Sequence, residues 1–206
     1  MAGPGGGPTL VGTDTDPHPP REAARVASPV KGEEQQDPRP LILTALLAPP
    51  TQAKFEALRR AHYPPEQNRV PAHVSLFHQL PGRELAAIKR RLQAVCGPLP
   101  PPHVEVTGVK SLGRGAAFAL RSPELDSIHA ELADGWGTLL IPQDRGGFRG
   151  HVTVQNKVTP AVARGTVQAL QAGFVPFATT VVAVSIWRYL GGPWEALGQV
   201  AFRGRG

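Results

Sequence analysis

The chain has 206 residues, of which 41% are hydrophobic, and this suits one domain or two small lobes. Its 22 Lys and Arg residues outnumber its 16 Asp and Glu residues, and its one cysteine, Cys96, excludes an intramolecular disulfide and a multi-cysteine zinc site. We see no segment approaching the roughly 18 apolar residues of a transmembrane helix, and no charged and apolar leader of a signal peptide. The sequence therefore predicts a cytoplasmic protein without a membrane span.

The first 40 residues differ in composition from the rest. They contain eight of the 23 prolines and six of the 23 glycines, and they carry a net charge of −2. Such a segment has too few apolar side chains to offset chain entropy, so we predict a disordered tail at 1–40 and a folded domain at 41–206. The domain carries a net charge of +8, which favours an RNA or nucleotide partner, although an Arg-rich surface without function explains the charge equally well.

The first half of the domain predicts alternating strands and helices. In chain order these are a buried strand at 41–47, a helix at 52–63, a strand at 73–80 and an amphipathic helix at 84–95. Pro64 and Pro65 end the first helix. The second helix carries one apolar stripe, formed by Leu85, Ile88, Leu92 and Val95.

The second half of the domain repeats this order. It predicts strands at 104–109 and 116–120, a helix beginning at Pro123, a strand at 151–158, a helix at 160–170, and closing strands at 180–187 and 197–202. Ser122 and Thr159 are hydroxyl N-caps, each followed by a proline at the first helical position. The repeated order indicates two similar α+β lobes, each an antiparallel sheet packed by helices.

The pattern His, apolar, hydroxyl, apolar occurs twice, beginning at His73 and at His151. Because side chains alternate along a strand, each histidine shares a face with the hydroxyl residue two positions later, Ser75 or Thr153. Two imidazoles and two hydroxyls in one cleft suit phosphoryl chemistry without a metal. A neutral histidine takes a proton from the nucleophile, a protonated histidine gives one to the leaving oxygen, and the hydroxyls bind phosphate oxygens.

These two segments, HVSL and HVTV, resemble the signature motifs of the 2H phosphoesterases, in the branch of the 2'-5' RNA ligases and RNA 2',3'-cyclic phosphodiesterases. The resemblance covers residues 41–203, and Ser75 replaces the commoner Thr. It implies two pseudo-symmetric lobes with a catalytic groove between them, an arrangement that periodicity alone would not select. It also implies that His151 activates water and that His73 protonates the departing ribose oxygen.

Five further residues are weaker candidates, each with an ordinary structural alternative. Arg149 precedes the second histidine by two positions and could bind phosphate, or it is a surface charge. Phe77 and Gln155 continue the two motif faces and could contact the base or another part of the substrate, although a core position suits Phe77 as well. Trp187 and Tyr189 share a face and could line a nucleobase site, or pack under the neighbouring lobe.

Metal and cofactor sites are not indicated by the sequence. His78 is five positions from His73 and is therefore predicted on the opposite face of the same strand, which argues against a shared metal site. We find no H-x-x-x-H motif, no cluster of the D-x-D type and no Gly-rich phosphate loop, so we predict no metal and no cofactor.

Three functions remain open at this point. The first is a metal-independent phosphodiesterase that opens 2',3'-cyclic phosphates on RNA ends or nucleotides, with possible 2'-5' ligation in reverse. The second keeps this chemistry for a small cyclic phosphate, such as one on ADP-ribose. The third is a non-catalytic RNA-binding module, against which the intact motifs argue. A serine-nucleophile hydrolase is not favoured, since there is no G-x-S-x-G segment. We expect the protein to be a monomer.

Overall fold

The computed structural model describes residues 37–205, and its elements follow the predicted order. The strands are β1 (Leu41–Leu47), β2 (Val74–Leu80), β3 (His103–Ser111), β4 (Ala116–Arg121), β5 (His151–Gln155), β6 (Phe177–Tyr189) and β7 (Trp194–Ala201). The helices are α1 (Pro49–His62), α2 (Leu85–Cys96), α3 (Pro123–Trp136), α4 (Pro142–Arg145) and α5 (Pro160–Ala172). The short helix α4 is an addition to the predicted set.

The seven strands found between residues 37 and 205 pair antiparallel, in the order β1-β2-β5-β4-β3-β6-β7. Strand β1 also pairs with β6, so the sheet closes on itself. The first residues of β6 pair with β3, and the remainder lies between β1 and β7. One lobe is therefore β2-β1-β6-β7 and the other is β5-β4-β3-β6. The predicted α+β fold with antiparallel sheets and helices is confirmed, and the two sheets are continuous through β6.

The chain folds as two similar halves, β1-α1-β2-α2-β3 and β4-α3-β5-α5-β6. The last strand of each half pairs with the first strand of the other, since β3 pairs with β4 and β6 with β1. Helix α1 likewise packs on β5 of the other half, and α2 packs against α3. This exchange brings β2 and β5, the strands that carry the two motifs, next to each other at the centre of the molecule.

The core lies between the sheet and the helices. The predicted apolar stripe of α2 is buried at Leu85, Ile88 and Leu92, and removal of such side chains from water is the main stabilising contribution. Helices α3 and α5 have the predicted caps: the Ser122 hydroxyl accepts the backbone N–H of Leu125 at 3.1 Å, and the Thr159 hydroxyl accepts that of Val162 at 3.4 Å.

Several element boundaries differ from the predicted ones. Strand β6 begins at Phe177 and β7 at Trp194, each three residues before the predicted start, and two further differences have a local cause. Strand β5 ends at Gln155 and not at residue 158, because Lys157 adopts a φ of 62° and turns the chain toward α5. Helix α1 begins at Pro49 and not at residue 52, since proline is well accommodated in the first helical turn. Between residues 37 and 205 there is no helix of the length and apolar character that a membrane crossing requires.

Residues 1–36, most of the predicted tail, lie outside the described residues. The last residues of the predicted tail, from Asp37 onward, are described and contact the domain. The Asp37 carboxylate bonds with Arg39 and lies 3.3 Å from the Arg188 guanidinium. Gly82 approaches so closely that a Cβ there would lie 2.1 Å from the Arg39 carbonyl oxygen. Within the residues that the structure describes, Asp37 and Arg39 therefore contact the domain and are part of its folded structure.

We expect a chain that starts at Asp37 to keep the melting temperature and the turnover of the full chain. A chain that starts at Leu41 should melt about 2–4 °C lower, because the buried Arg188 loses one of its carboxylates. Differential scanning calorimetry of the two truncated chains tests this. Equal melting temperatures would show that the Asp37 carboxylate adds no stability, and a large drop for the longer chain would show that residues 1–36 stabilise the domain.

Candidate active site

The two motif strands are direct neighbours. Strands β2 and β5 are antiparallel, and the valine between the histidine and the hydroxyl of one motif lies opposite the valine of the other. Both valines are fully buried. The register places each histidine across from the hydroxyl residue of the other strand, His73 from Thr153 and His151 from Ser75. Facing residues on adjacent strands have Cβ atoms about 4.5–5.5 Å apart, so these four side chains share the groove side of the sheet.

Each histidine is held by the same kind of hydrogen bond. The Nδ1 atom of His73 lies 2.7 Å from the carbonyl oxygen of Pro71, and that of His151 lies 3.0 Å from the carbonyl oxygen of Arg149. Because a carbonyl oxygen only accepts, Nδ1 carries a hydrogen in both rings. The Nε2 atoms are then the ring atoms that can take or give a proton to a bound substrate.

Helix α1 holds the backbone around both motifs. Arg59 is 2% exposed, and its guanidinium donates to the carbonyl oxygen of Thr153 at 2.8 Å and to the loop before β2 at 3.1 Å. The carboxylate of Glu56 accepts the backbone N–H of Ala72 at 2.7 Å, and the amide of Gln52 donates to the Ala72 carbonyl at 2.6 Å. One helix thereby fixes the backbone of Ala72, directly before the first motif, and that of Thr153 in the second motif.

Small side chains and two cations border the second motif. The β4 residues beside His151 and Thr153 are both alanines, which leaves the groove open there. Lys110 lies one strand further, in the same row as Thr153. Burial lowers the pKa of Lys110, and the charge of Arg149 lowers it further. Arg149 itself is exposed and lines a cavity together with Ser75 and His151.

Aromatic side chains border the first motif. The ring of Trp194 lies 4.9 Å from that of His73 and 6.1 Å from that of Trp187, measured between centroids. Trp187 is half-buried, and its indole N–H donates to the Thr44 hydroxyl at 2.9 Å. Tyr189 is 39% exposed and lies opposite Trp194 in the β6–β7 hairpin. The structure thus places both predicted aromatic residues beside Trp194, which the sequence argument did not select.

Each motif strand contains a bulge directly after its hydroxyl residue. On β1, the residue that pairs with Phe77 is the immediate neighbour of the residue that pairs with Ser75. The same holds on β4 for the partners of Gln155 and Thr153. Two steps along the motif strand therefore correspond to one step along its neighbour. A bulge of this kind resets the alternation of faces.

The prediction that Phe77 and Gln155 continue the motif faces is therefore wrong. Phe77 is fully buried, and its ring stacks on that of His129 with centroids 4.5 Å apart. Gln155 is 3% exposed, and its amide donates to the Thr166 hydroxyl at 2.8 Å. Both side chains belong to the interior and do not reach the groove.

The bulge in β2 also changes the strand face on which the His78 side chain lies. Its side chain was predicted on the strand face opposite the first histidine, but after the bulge it lines the same cavity as Ser75 and His151. A third imidazole therefore borders the groove. Within residues 37–205, no three His, Cys, Asp or Glu side chains are grouped so that they could hold a metal ion.

A family model described as the 2'-5' RNA ligase superfamily matches residues 47–193, which is more than half of the chain. The chain belongs to this superfamily. Solved structures with a similar fold include TT0787 of Thermus thermophilus, with a TM-score of 0.59 and 17% identity over 81% of this chain and 100% of that one. They also include E. coli LigT complexed with NADP+, with a TM-score of 0.51, 16% identity and coverages of 81% and 99%. A third, titled a phosphoesterase, has a TM-score of 0.50, 17% identity and coverages of 81% and 99%. A search of curated proteins finds no match.

In the ligand-free form of this 2'-5' RNA ligase superfamily member, both motif histidines are neutral at pH 7. Burial, with a smaller contribution from the charge of Arg59, lowers the pKa of His73 to about 4 against the opposing hydrogen bond to Pro71. Burial also lowers the pKa of His151, with a smaller contribution from Lys110. Acid catalysis therefore requires that the bound substrate raise the pKa of one ring.

We expect inorganic phosphate to raise the pKa of both motif histidines in this superfamily member. A phosphate anion beside an imidazole favours the charged ring, and so the shift has the opposite sign to the effect of burial. Imidazole nitrogen chemical shifts, followed by NMR from pH 4 to 8 with and without phosphate, measure this. The signals of the exposed His103, at the start of β3, serve as the control and should not respond to phosphate. A His73 ring that titrates near 6.5 without ligand would contradict the assigned burial effect.

Proposed function

We propose that this protein is a phosphodiesterase that opens 2',3'-cyclic phosphates on RNA ends or nucleotides. The observation that carries the proposal is the arrangement of two imidazoles and two hydroxyls on adjacent antiparallel strands. The matched bonds from Nδ1 to backbone carbonyls support it, because they leave Nε2 of both rings for proton transfer. Two proton-transfer groups flanked by hydroxyl donors suit the hydrolysis of a phosphodiester.

In the proposed reaction, a water oxygen attacks phosphorus and the bond between phosphorus and one ribose oxygen breaks. One imidazole takes a proton from water, and the other gives a proton to the departing oxygen, so the product is a ribose phosphomonoester. Ser75 and Thr153 donate hydrogen bonds to the non-bridging oxygens, where negative charge builds up. When an RNA 5'-hydroxyl takes the place of water, the same steps join two RNA ends without ATP.

The general acid and the general base can be assigned to the two motif histidines in either order. The family resemblance assigns the base to His151 and the acid to His73. The pKa of about 4 for His73 favours the reverse order in the ligand-free protein, because that ring is the harder one to protonate. A substrate with sulfur in place of the departing oxygen tests this, since a thiolate leaves without a general acid. The alanine variant of the acid should recover on this substrate, and that of the base should not.

The first test of the proposed function is hydrolysis of adenosine 2',3'-cyclic phosphate in excess EDTA and without ATP, with the product isomer identified. We expect turnover under these conditions, because the proposed steps use side chains of the chain itself. Loss of turnover on chelation, restored by one divalent ion, would overturn the metal-free mechanism.

Two substrate classes share this chemistry. E. coli LigT was crystallised with NADP+, which supports a nucleotide ligand and fits a small cyclic phosphate on an ADP-ribose as well as an RNA end. Comparing kcat/KM for an RNA with a cyclic phosphate end and for the ADP-ribose compound separates them. RNA binding that survives the loss of both motif histidines, with no turnover by the parent protein, would instead indicate a non-catalytic RNA-binding module.

A further inference from the structure

A cavity of about 210 Å³ extends from Ser75 and His151 along the loop that leads into β5. His78 and Arg149 also line this cavity. A water molecule takes up about 30 Å³ in the liquid, so this volume holds a phosphoryl group together with several waters. The cavity therefore adjoins the two motifs and adds cationic and hydrogen-bonding groups that belong to neither.

His78 is held in place by a buried carboxylate. Its Nδ1 atom lies 2.7 Å from Oδ1 of Asp144, and its backbone N–H lies 2.9 Å from Oδ2. The Asp144 carboxylate also accepts the backbone N–H of Gln79 at 3.1 Å. Because Nδ1–H donates to the carboxylate, Nε2 is the ring atom that remains for a ligand in the cavity.

The Asp144 carboxylate accepts backbone hydrogen bonds from β2, and these bonds do not depend on the His78 imidazole. Burial opposes ionisation of its carboxyl, but hydrogen bonds from the side chain and backbone of His78 and from Gln79 lower its pKa, so it is a carboxylate at neutral pH. The two backbone N–H donors alone would explain a buried aspartate at this strand edge. The ring of His78 is 43% exposed and still bonds to Asp144, which indicates a second role for the pair. A carboxylate behind an imidazole stabilises the ring as a hydrogen-bond donor to an anion.

The spacing along the groove matches two phosphoryl groups on one ribose. Ser75 lies opposite Thr44 on β1 and Phe77 lies opposite the adjacent Leu43, so His78 lies about two residue steps beyond Ser75 once the bulge is allowed for. Two residues along a strand span roughly 7 Å. A 5'-phosphoryl group is separated from a 2',3'-cyclic phosphate by the width of one ribose, which is a comparable span.

We propose that His78, held by Asp144, forms with Arg149 a second phosphate subsite that binds a phosphoryl group on the 5'-oxygen of the nucleoside carrying the cyclic phosphate. The subsite selects RNA ends and other 5'-phosphorylated cyclic nucleotides over free cyclic mononucleotides. This inference rests on the proposed function, since it places the cyclic phosphate at the two motifs.

The test compares adenosine 2',3'-cyclic phosphate with its 5'-phosphorylated form. The ratio of their kcat/KM values is the readout, because it cancels general effects on catalysis. We expect the parent protein to favour the 5'-phosphorylated substrate by about 10–100-fold, the range for a hydrogen bond to a charged group. His78→Gln should bring the ratio close to one, and His103→Gln, a matched change at an exposed site, should keep the parental ratio. A parental ratio near one, or a ratio unchanged in His78→Gln, would overturn the subsite.

A binding experiment separates failure of the subsite from failure of the proposed function. Isothermal titration with adenosine 3',5'-bisphosphate and with adenosine 3'-monophosphate requires no turnover. The parent should bind the bisphosphate about 10–100-fold more tightly, and His78→Gln should lose this preference while its melting temperature stays parental. If neither cyclic substrate is turned over but this preference is present and His78-dependent, the subsite stands and the proposed reaction fails. Equal affinities for the two nucleotides in the parent would reject the subsite whatever the activity.

Discussion

Replacing either His73 or His151 with alanine is expected to lower kcat on a 2',3'-cyclic nucleotide by at least about 10²-fold with the fold intact. The two rings lie on adjacent strands with Nδ1 bonded to a backbone carbonyl, so each variant loses a proton-transfer group that no neighbour replaces in position. Steady-state kinetics and a melting curve for each variant measure this. His103→Ala, at the exposed start of β3, is the matched control and should keep parental turnover.

The pH dependence gives an independent check of the same assignment. One ring must be neutral and the other charged, so turnover of the parent should follow a bell-shaped profile. Each alanine variant should lose one limb of that profile. A variant that keeps near-parental turnover, or both limbs, would show that its histidine is not a proton-transfer group.

Ser75→Ala and Thr153→Ala are expected to lower kcat by about 10–10³-fold with a modest change in KM. Each hydroxyl residue lies across from the histidine of the other strand, within reach of a phosphate bound between the rings. Non-bridging oxygens gain charge in the transition state, so a hydroxyl donor is worth more there than in the ground state. Kinetics on a cyclic nucleotide give the split between kcat and KM.

Two further variants serve as controls for this result. Ser75→Thr retains the donor on a strand, which tolerates β-branching, and should keep turnover close to that of the parent. Ser127→Ala removes an exposed hydroxyl from α3 and should have no effect on either constant. An increase in KM alone in the two motif variants would mean that the hydroxyls hold the substrate without stabilising the transition state.

The motif residues were accessible to sequence reasoning because their relationship is local. Alternation with period two needs no partner strand, so it was sufficient to place His73 with Ser75 and His151 with Thr153. The caps at Ser122 and Thr159 were equally local, since a hydroxyl before proline marks a helix start, and both bonds are present. The repeated order of elements also predicted the α+β fold with antiparallel sheets.

Pairing between distant strands decided what the period-two argument could not. The bulges after Ser75 and Thr153 are set by the registers with β1 and β4, and they turned Phe77 and Gln155 into the interior. The bulge after Ser75 also places His78 on the groove side, and not on the opposite face that alternation predicts. A single strand contains no information about which residue its neighbour leaves unpaired, so alternation fails from that residue onward.

Residues that support the candidate site come from elements far away along the chain. Arg59 reaches the carbonyl of Thr153, and Asp144 reaches the backbone at His78, across separations of 94 and 66 residues. Trp194 meets His73 because β7 returns beside β6 and β6 beside β1. The amino-acid sequence by itself determined the two motifs, the order of elements and the family resemblance, because these depend on neighbouring residues. The tertiary structure alone decided the groove walls, the buried supports and the third imidazole, because strand registers and helix packing bring those groups together.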